Sequence, residues 1–413
     1  MAFTTFDGVI ETWKQRNFAW YMSGAAISLF GVWAQRIAVA WLTWKLTGSY
    51  FWLGLIAFAD LFPTVIITPL AGVIADRVDR RKMSIYSQLA AAFQAIVLAT
   101  CTLIGVIEIW SLLTLTVFLG VALAYNTAAR LALVPNLLEP RFIPSALASD
   151  AAIYNSARVI GPMIAAWLIA EINIGGAFVF NCVTYVIFLF CLFKMRLVRH
   201  ETSGRTGGVF LQTLEGVRYA AKHPGIGPLL VVLTALAIGV KPFLEMLPAF
   251  AEDVFKSDVH GFAWLAAAAG FGAISCAIFL AVRGRSDGLT RITLSALFVG
   301  PFGILIMCFS NSLWLGLIGS FIVGTSITLT GTGVQTLMQT AVEGHLRGRV
   351  MSLYGMLHRG VPAIGALVVG GLAEFIGLSI AMIGIALIFC VGAAIWIYPR
   401  HKKIIQALET GSN

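Results

Sequence analysis

Twelve apolar stretches, each close to the length that crosses a hydrocarbon core, leave this chain few ways to fold. A bilayer core is about 30 Å thick and takes about twenty helical residues to span. The stretches fall near 18–46, 50–75, 83–105, 109–134, 145–172, 175–195, 227–250, 260–282, 290–309, 312–340, 349–375 and 377–398. Inside a membrane every backbone N–H and C=O must be bonded within the protein, which allows only helices or closed barrels. Runs this long and this apolar predict helices. The chain is 59% hydrophobic and 11% charged, with a mean hydropathy of +0.89, so it lacks the polar surface a water-soluble fold needs.

The charges that remain are placed, not scattered. If both termini face the cytoplasm, the cytoplasmic segments carry 21 of the 28 lysines and arginines, and the opposite side only Lys45 and Lys256. That bias predicts a multi-pass protein of the bacterial cytoplasmic (inner) membrane with both termini inside. Trp52, Trp110 and Trp314 fall near the outer interface, where an aromatic belt is expected. The net charge of +9 sits in short turns, where it fits anionic lipid headgroups and does not suggest a nucleic-acid partner. The first sixteen residues are polar and amphipathic and show no cleavage site, so no removed signal peptide is expected. The six cysteines lie inside apolar stretches without zinc-like spacing, so neither a disulfide framework nor a metal site is expected.

The longest polar interruption, about 196–226, divides the chain. It predicts an N-terminal six-helix bundle at 1–195, a cytoplasmic linker at 196–226, a C-terminal six-helix bundle at 227–398 and a cytoplasmic tail at 399–413. Within the linker, Phe210, Leu214, Val217 and Ala221 recur at helical spacing with Glu215, Arg218 and Lys222 between them, as in a helix lying on a membrane surface. The halves echo each other. The Asn155 to Pro162 run, with Glu171 beyond it, is matched in the second half by the His358 to Pro362 run, with Glu374 beyond it. The fold class expected is an all-α membrane protein, twelve transmembrane helices in two pseudo-symmetric six-helix bundles, a plan that holds a ligand near the bilayer midplane.

One polar run between the second and third stretches is distinctive: Gly72-Val73-Ile74-Ala75-Asp76-Arg77-Val78-Asp79-Arg80-Arg81-Lys82. It resembles the loop between helices 2 and 3 of the major facilitator superfamily, with Gly72, Asp76, Arg77, Arg80 and Arg81 matching and Asp79 in place of the second glycine. Arg16-Asn17-Phe18, Leu46-Thr47-Gly48-Ser49, the Asn155 to Pro162 run and Arg347 to Tyr354 are similar to the bacterial branch of enterobactin exporters and macrolide efflux pumps. The resemblance implies a secondary active transporter that exports small amphipathic molecules, drug-like compounds or siderophores, by alternating access and usually by proton antiport; a monomer is expected. Uptake, lipid movement or a transport-inactive sensor on the same scaffold are the alternatives. The resemblance also implies that Asp76 closes an inner gate against the start of helix 11, near Arg347 and Arg349. Two features depart from the branch. Val32 follows Gly31 where an acid is common, and Ala165-Ala166 replaces a glycine pair after Pro162.

Ionisable groups at membrane depth cost several kcal/mol unless paired or hydrated, which makes each a candidate for function. Counting from the turns puts Arg36 level with Asp60, and Arg130 level with Asp150, so each pair has the depth for an ion pair. Arg158 and Asn155 lie one turn apart in helix 5. Lys241 and Glu245 lie one turn apart in helix 7. Asp60 and Glu245 are the carboxylates expected to exchange protons, and His358 and Arg359 are expected to line the same cavity. No phosphate loop, HExxH metal motif or nucleophile elbow occurs, so neither an enzyme nor a cofactor is expected.

Overall fold

The computed structural model describes residues 5–75, 78–195, 217–284, 287–342 and 344–409. Twelve helices among them are long and apolar enough to cross a membrane, in the all-α arrangement expected. Spans 1 to 6 are Arg16–Thr47, Tyr50–Ala75, Arg80–Leu103, Ile109–Leu133, Ile143–Glu171 and Ile174–Lys194. Span 7 begins as Ile226–Gly239, and spans 8 to 12 are Val259–Arg283, Leu289–Cys308, Leu313–Ala341, Gly344–Ile376 and Leu378–Ile397. Short polar side chains start several of them by accepting the first free N–H groups. Asp79 caps span 3 through the N–H groups of Arg81 and Lys82, Asn173 caps span 6, and Asp258 caps span 8. Asp79, the departure from the loop pattern, thus works as a helix cap. The turn between spans 8 and 9 needs left-handed backbone at two places, and Gly284 (φ 60°) and Gly288 (φ 70°) supply it.

Two compact units emerge from the contacts. One comprises residues 1–46 and 62–206, the other 47–61 and 207–413. The first half of span 2 therefore groups with the C-terminal spans. Its start is held by two carboxylates: Glu374 accepts from the Ser49 hydroxyl (3.0 Å) and the Phe51 N–H (3.2 Å), and Asp253 accepts from the Tyr50 hydroxyl (2.6 Å). Below that, Gly54 of span 2 meets the backbone of Ala366, and Gly370 of span 11 meets the backbone of Tyr50.

In the first unit, small residues bring spans 1, 5 and 6 close. Gly24 packs on Phe188 and Cys191, and Gly161 packs on Trp33. Tyr21 meets Phe188 edge-on at 5.6 Å, and Trp33 meets Tyr154 at 5.8 Å. The N-terminal helix Thr5–Lys14 joins span 5 through the Trp13 indole, which donates to Ser149 (3.2 Å). In the second unit, spans 8 and 10 touch backbone to backbone. Gly324 faces the Ala269 carbonyl, Gly272 faces the Phe321 carbonyl, and the Ser320 hydroxyl donates to the Leu265 carbonyl (2.6 Å). The segment expected as a tail forms a helix, His401–Glu409, with Ile404 and Leu408 buried and the Glu409 carboxylate accepting from the Thr290 N–H (3.1 Å).

Span 7 differs from the uninterrupted helix expected over 227–250. Its α-helix ends at Gly239, residues Lys241–Leu244 turn more tightly, and Phe250–Val254 form a wider π turn. The reason is backbone chemistry. Pro242 and Pro248 have no N–H to donate to the carbonyls four residues back, and their rings crowd those carbonyls. Apolar periodicity carries no trace of that loss. The surface helix expected around 210–222 lies mostly outside the described residues, and only 217–222 is seen, as helix.

Candidate functional site

The break in span 7 brings ionisable groups together in the second unit. Span 7 is the most enclosed of the twelve, with 72% of its hydrophobic window buried. Its remaining partly accessible positions are Gly227, Leu230, Val231, Thr234, Ile238, Lys241, Leu244 and Glu245, and Val231, Thr234, Ile238, Lys241 and Glu245 recur among them as a stripe. Spacings of three and four residues place Val231, Thr234 and Ile238 on one face of the helix, and Lys241 and Glu245 follow in the break beyond its end. Three apolar or weakly polar side chains thus lead to one cation and one carboxylate. Pro242, by contrast, turns inward and packs on Gly365 of span 11.

Lys241 reaches span 11. Its Nζ donates to the His358 carbonyl at 2.8 Å and lies 3.3 and 3.4 Å from the ring nitrogens of the same residue. Pro362 explains why that carbonyl is available. In a regular helix the N–H of residue 362 would bond to it, and proline has none. Tyr354 stacks on the His358 ring at 5.2 Å and 15°, and its hydroxyl donates to the Gly331 carbonyl (2.9 Å), which fixes the plane of both rings. Arg359 follows His358 and is exposed. Asp60, on the part of span 2 that groups with this unit, is half-buried.

In the first unit, Arg130 of span 4 and Asp150 of span 5 form an ion pair, with side chains 22% and 32% exposed. Arg36 lies over the Trp33 ring at 5.5 Å. The Asn155 amide bonds back to the Ala151 carbonyl (2.8 Å) on its own helix, and Arg158 is half-buried on the same span. The loop motif is divided. Asp76 and Arg77 lie outside the described residues, as do the surroundings of Gly72 and the Arg347 side chain. Arg80 is half-buried. Arg81 donates to the Leu192 (2.9 Å) and Phe193 (3.0 Å) carbonyls, a cation closing the C-terminal end of span 6. Arg349 lies half-buried near the start of span 11.

Three features escaped sequence reasoning. One is the break in span 7, for which Gly239 to Pro242 was the available signal. The second is the stacking of Tyr354 on His358, which its place at the end of the Arg347 to Tyr354 run does not show. The third is a buried amide chain joining spans 1, 3 and 6. The Asn181 amide donates to Gln35 (2.7 Å), Gln35 donates to Gln94 (3.0 Å), and the Thr184 hydroxyl donates to Asn181 (3.0 Å).

Residues 10–410 match the family described as transmembrane secretion effector. The chain is 24% identical to the multidrug efflux pump Tap of Mycolicibacterium fortuitum, over 89% of this chain and 92% of that protein. It is also 24% identical to the staphyloferrin A transporter of Staphylococcus aureus, over 93% of this chain and 97% of the relative. Among solved structures, a bacterial homologue of the human lysosomal transporter Spinster superposes with a TM-score of 0.72 at 14% identity, covering 95% of this chain and 98% of that one.

Proposed function

The chain belongs to the transmembrane secretion effector family of the major facilitator superfamily, and we propose that it exports small amphipathic molecules, drug-like compounds or siderophores, by alternating access coupled to proton antiport. It is a membrane transporter of small molecules and not an enzyme. The observation that carries the export reading is the stripe on span 7. An enclosed span whose accessible stripe runs from apolar to ionic suits a ligand of the same character. Relatives named for multidrug efflux and for a staphyloferrin support the same class of cargo.

Asp60 and Glu245 are the carboxylates we assign to proton exchange, because both are half-buried ionisable groups in membrane spans. The placement of basic residues supports an orientation with both termini in the cytoplasm of a bacterial inner membrane, and a single chain suffices for the cycle.

The test uses everted membrane vesicles and the neutral dye N-phenyl-1-naphthylamine. An acid-inside gradient is expected to drive dye accumulation by the wild type. Asp60→Asn or Glu245→Gln should abolish gradient-driven accumulation and spare dye exchange, which moves no net protons. If both variants still respond to the gradient, these carboxylates are not the couplers. A wild type indifferent to the gradient contradicts antiport itself.

A further inference from the structure

Two aromatic side chains of the first unit meet at membrane depth, and one of them stays open. Counting along the helices, Trp33 lies about two residues from the centre of span 1 and Tyr154 about three from the centre of span 5. Both therefore stand near the bilayer midplane, where a carrier of this plan holds its ligand. Their rings meet edge to face, with centroids 5.8 Å apart and planes at 76°. Trp33 is half-buried and firmly placed. A Cβ on Gly161 of span 5 would fall inside van der Waals contact with the Trp33 Cβ, so the two backbones are closely packed there. Arg36 lies over the indole at 5.5 Å. Tyr154, by contrast, is 44% exposed.

The spacing along span 5 decides what that exposure faces. Asp150 stands one turn before Tyr154 and Arg158 one turn after it, so the three share a helical face. Asp150 pairs with Arg130, and ionic groups at this depth turn toward protein or water, not toward lipid. Ile160, Met163 and Trp167 are exposed on the other side of the helix, the side that suits an apolar bilayer. Tyr154 thus opens onto the ionic side of its span. An exposed ring in that place fills no gap in a core, and it lies too deep for an interfacial belt.

Such a pair favours an aromatic ring over an aliphatic one of the same size. A third ring can meet an edge-to-face pair in the same geometry, and each aromatic contact adds to what burial alone supplies. Trp33 is already fixed between two spans, so little ordering is needed when a ligand arrives.

Building on the export reading, we propose that Trp33 and Tyr154 form an aromatic subsite that receives a planar aromatic ring of the transported molecule and selects it over a saturated ring.

Two neutral amides test this: benzanilide, with two phenyl rings, and N-cyclohexylcyclohexanecarboxamide, its saturated counterpart. The saturated amide is the more hydrophobic, so a surface that is only apolar would prefer it. Binding of tritiated benzanilide to the purified protein is measured by scintillation proximity, with each unlabelled amide as competitor. The wild type should bind the aromatic amide at least about threefold more tightly, the effect of one aromatic contact. Tyr154→Leu keeps an apolar side chain but removes the ring, and it should abolish the preference. Tyr154→Phe keeps the ring and should keep the preference. Trp167→Leu removes an exposed ring from the lipid side of the same span and should leave the ratio unchanged.

A wild type that does not bind benzanilide, or binds the saturated amide as tightly, overturns the proposal. So does an unchanged preference in Tyr154→Leu. Loss of the preference in Tyr154→Phe would assign it to the hydroxyl, and loss in Trp167→Leu would place it elsewhere; either result also overturns the subsite. Transport of N-phenyl-1-naphthylamine in everted vesicles separates this from the export reading. A protein that shows the aromatic preference but moves no dye keeps the subsite and loses export. One that moves the dye without the preference keeps export and loses the subsite.

Discussion

Gly324→Leu should yield no folded protein, and Gly324→Ala should lower stability by about 3 kcal/mol, the upper end of what overpacking costs. A Cβ at this position would fall well inside van der Waals contact with the Ala269 carbonyl, and a Cβ at Gly272 would meet the Phe321 carbonyl in the same way. The obstacles are backbone atoms of neighbouring helices, which cannot rotate aside as a side chain can. Membrane helices gain little from hydrophobicity when they associate, so close packing through small residues supplies much of the attraction. Spans 8 and 10 would have to separate to admit even a methyl group, and the Ser320 bond to Leu265 would lengthen with them. Gly371→Ala is the control. Nothing lies within 4 Å of a Cβ there, and it should change stability by less than about 0.5 kcal/mol. Thermal unfolding of the purified variants decides it: equal melting temperatures for Gly324→Ala and Gly371→Ala would contradict the packing assigned to spans 8 and 10.

The buried amide chain should give the next largest effect. Asn181 is 0% exposed, and Gln35 and Gln94 are 1% exposed, so water cannot replace a lost partner. Asn181→Leu removes the donor to Gln35 and introduces a branched side chain where Gly31 leaves almost no room. Single hydrogen bonds between membrane helices average only about 0.6 kcal/mol. Here the substitution strands an amide oxygen inside a three-helix network, and the penalty of an unsatisfied buried group dominates, about 2–3 kcal/mol. The signature is coupling. Gln35→Met should cost much less in an Asn181→Leu background than in the wild type, because its partner is already gone. Strictly additive losses of stability would mean the amides do not act as a unit.

Spans are legible in this sequence because length and apolarity are local properties, and the bilayer allows one answer to them. Apart from span 7, the ends of the apolar stretches fall within a few residues of the helix ends, and at three of them Asp79, Asn173 and Asp258 are caps that a local reading could have used. Gln35, Gln94 and Asn181 are isolated amides in three separate spans, and nothing local shows that they meet. Lys241 and His358 are 117 positions apart. Yet a rule could have joined them: a proline four residues after His358 frees its carbonyl, and a lysine beside another proline in an apolar span needs an acceptor. Arg81 shows the opposite case. It was legible as part of a motif, but its bonds to the Leu192 and Phe193 carbonyls give it a capping role that the motif does not express.

The central claim is that the accessible stripe of span 7 meets the transported molecule, and thiol labelling tests it most directly. In a background with the six native cysteines replaced, Val231→Cys, Thr234→Cys and Ile238→Cys should react with a water-soluble maleimide. Leu233→Cys and Leu236→Cys, at positions 2% exposed, should not. N-phenyl-1-naphthylamine should slow labelling at the three stripe positions and leave a cysteine placed at the exposed Lys222 unaffected. Equal labelling of both sets, or stripe labelling that the dye does not slow, would contradict the account.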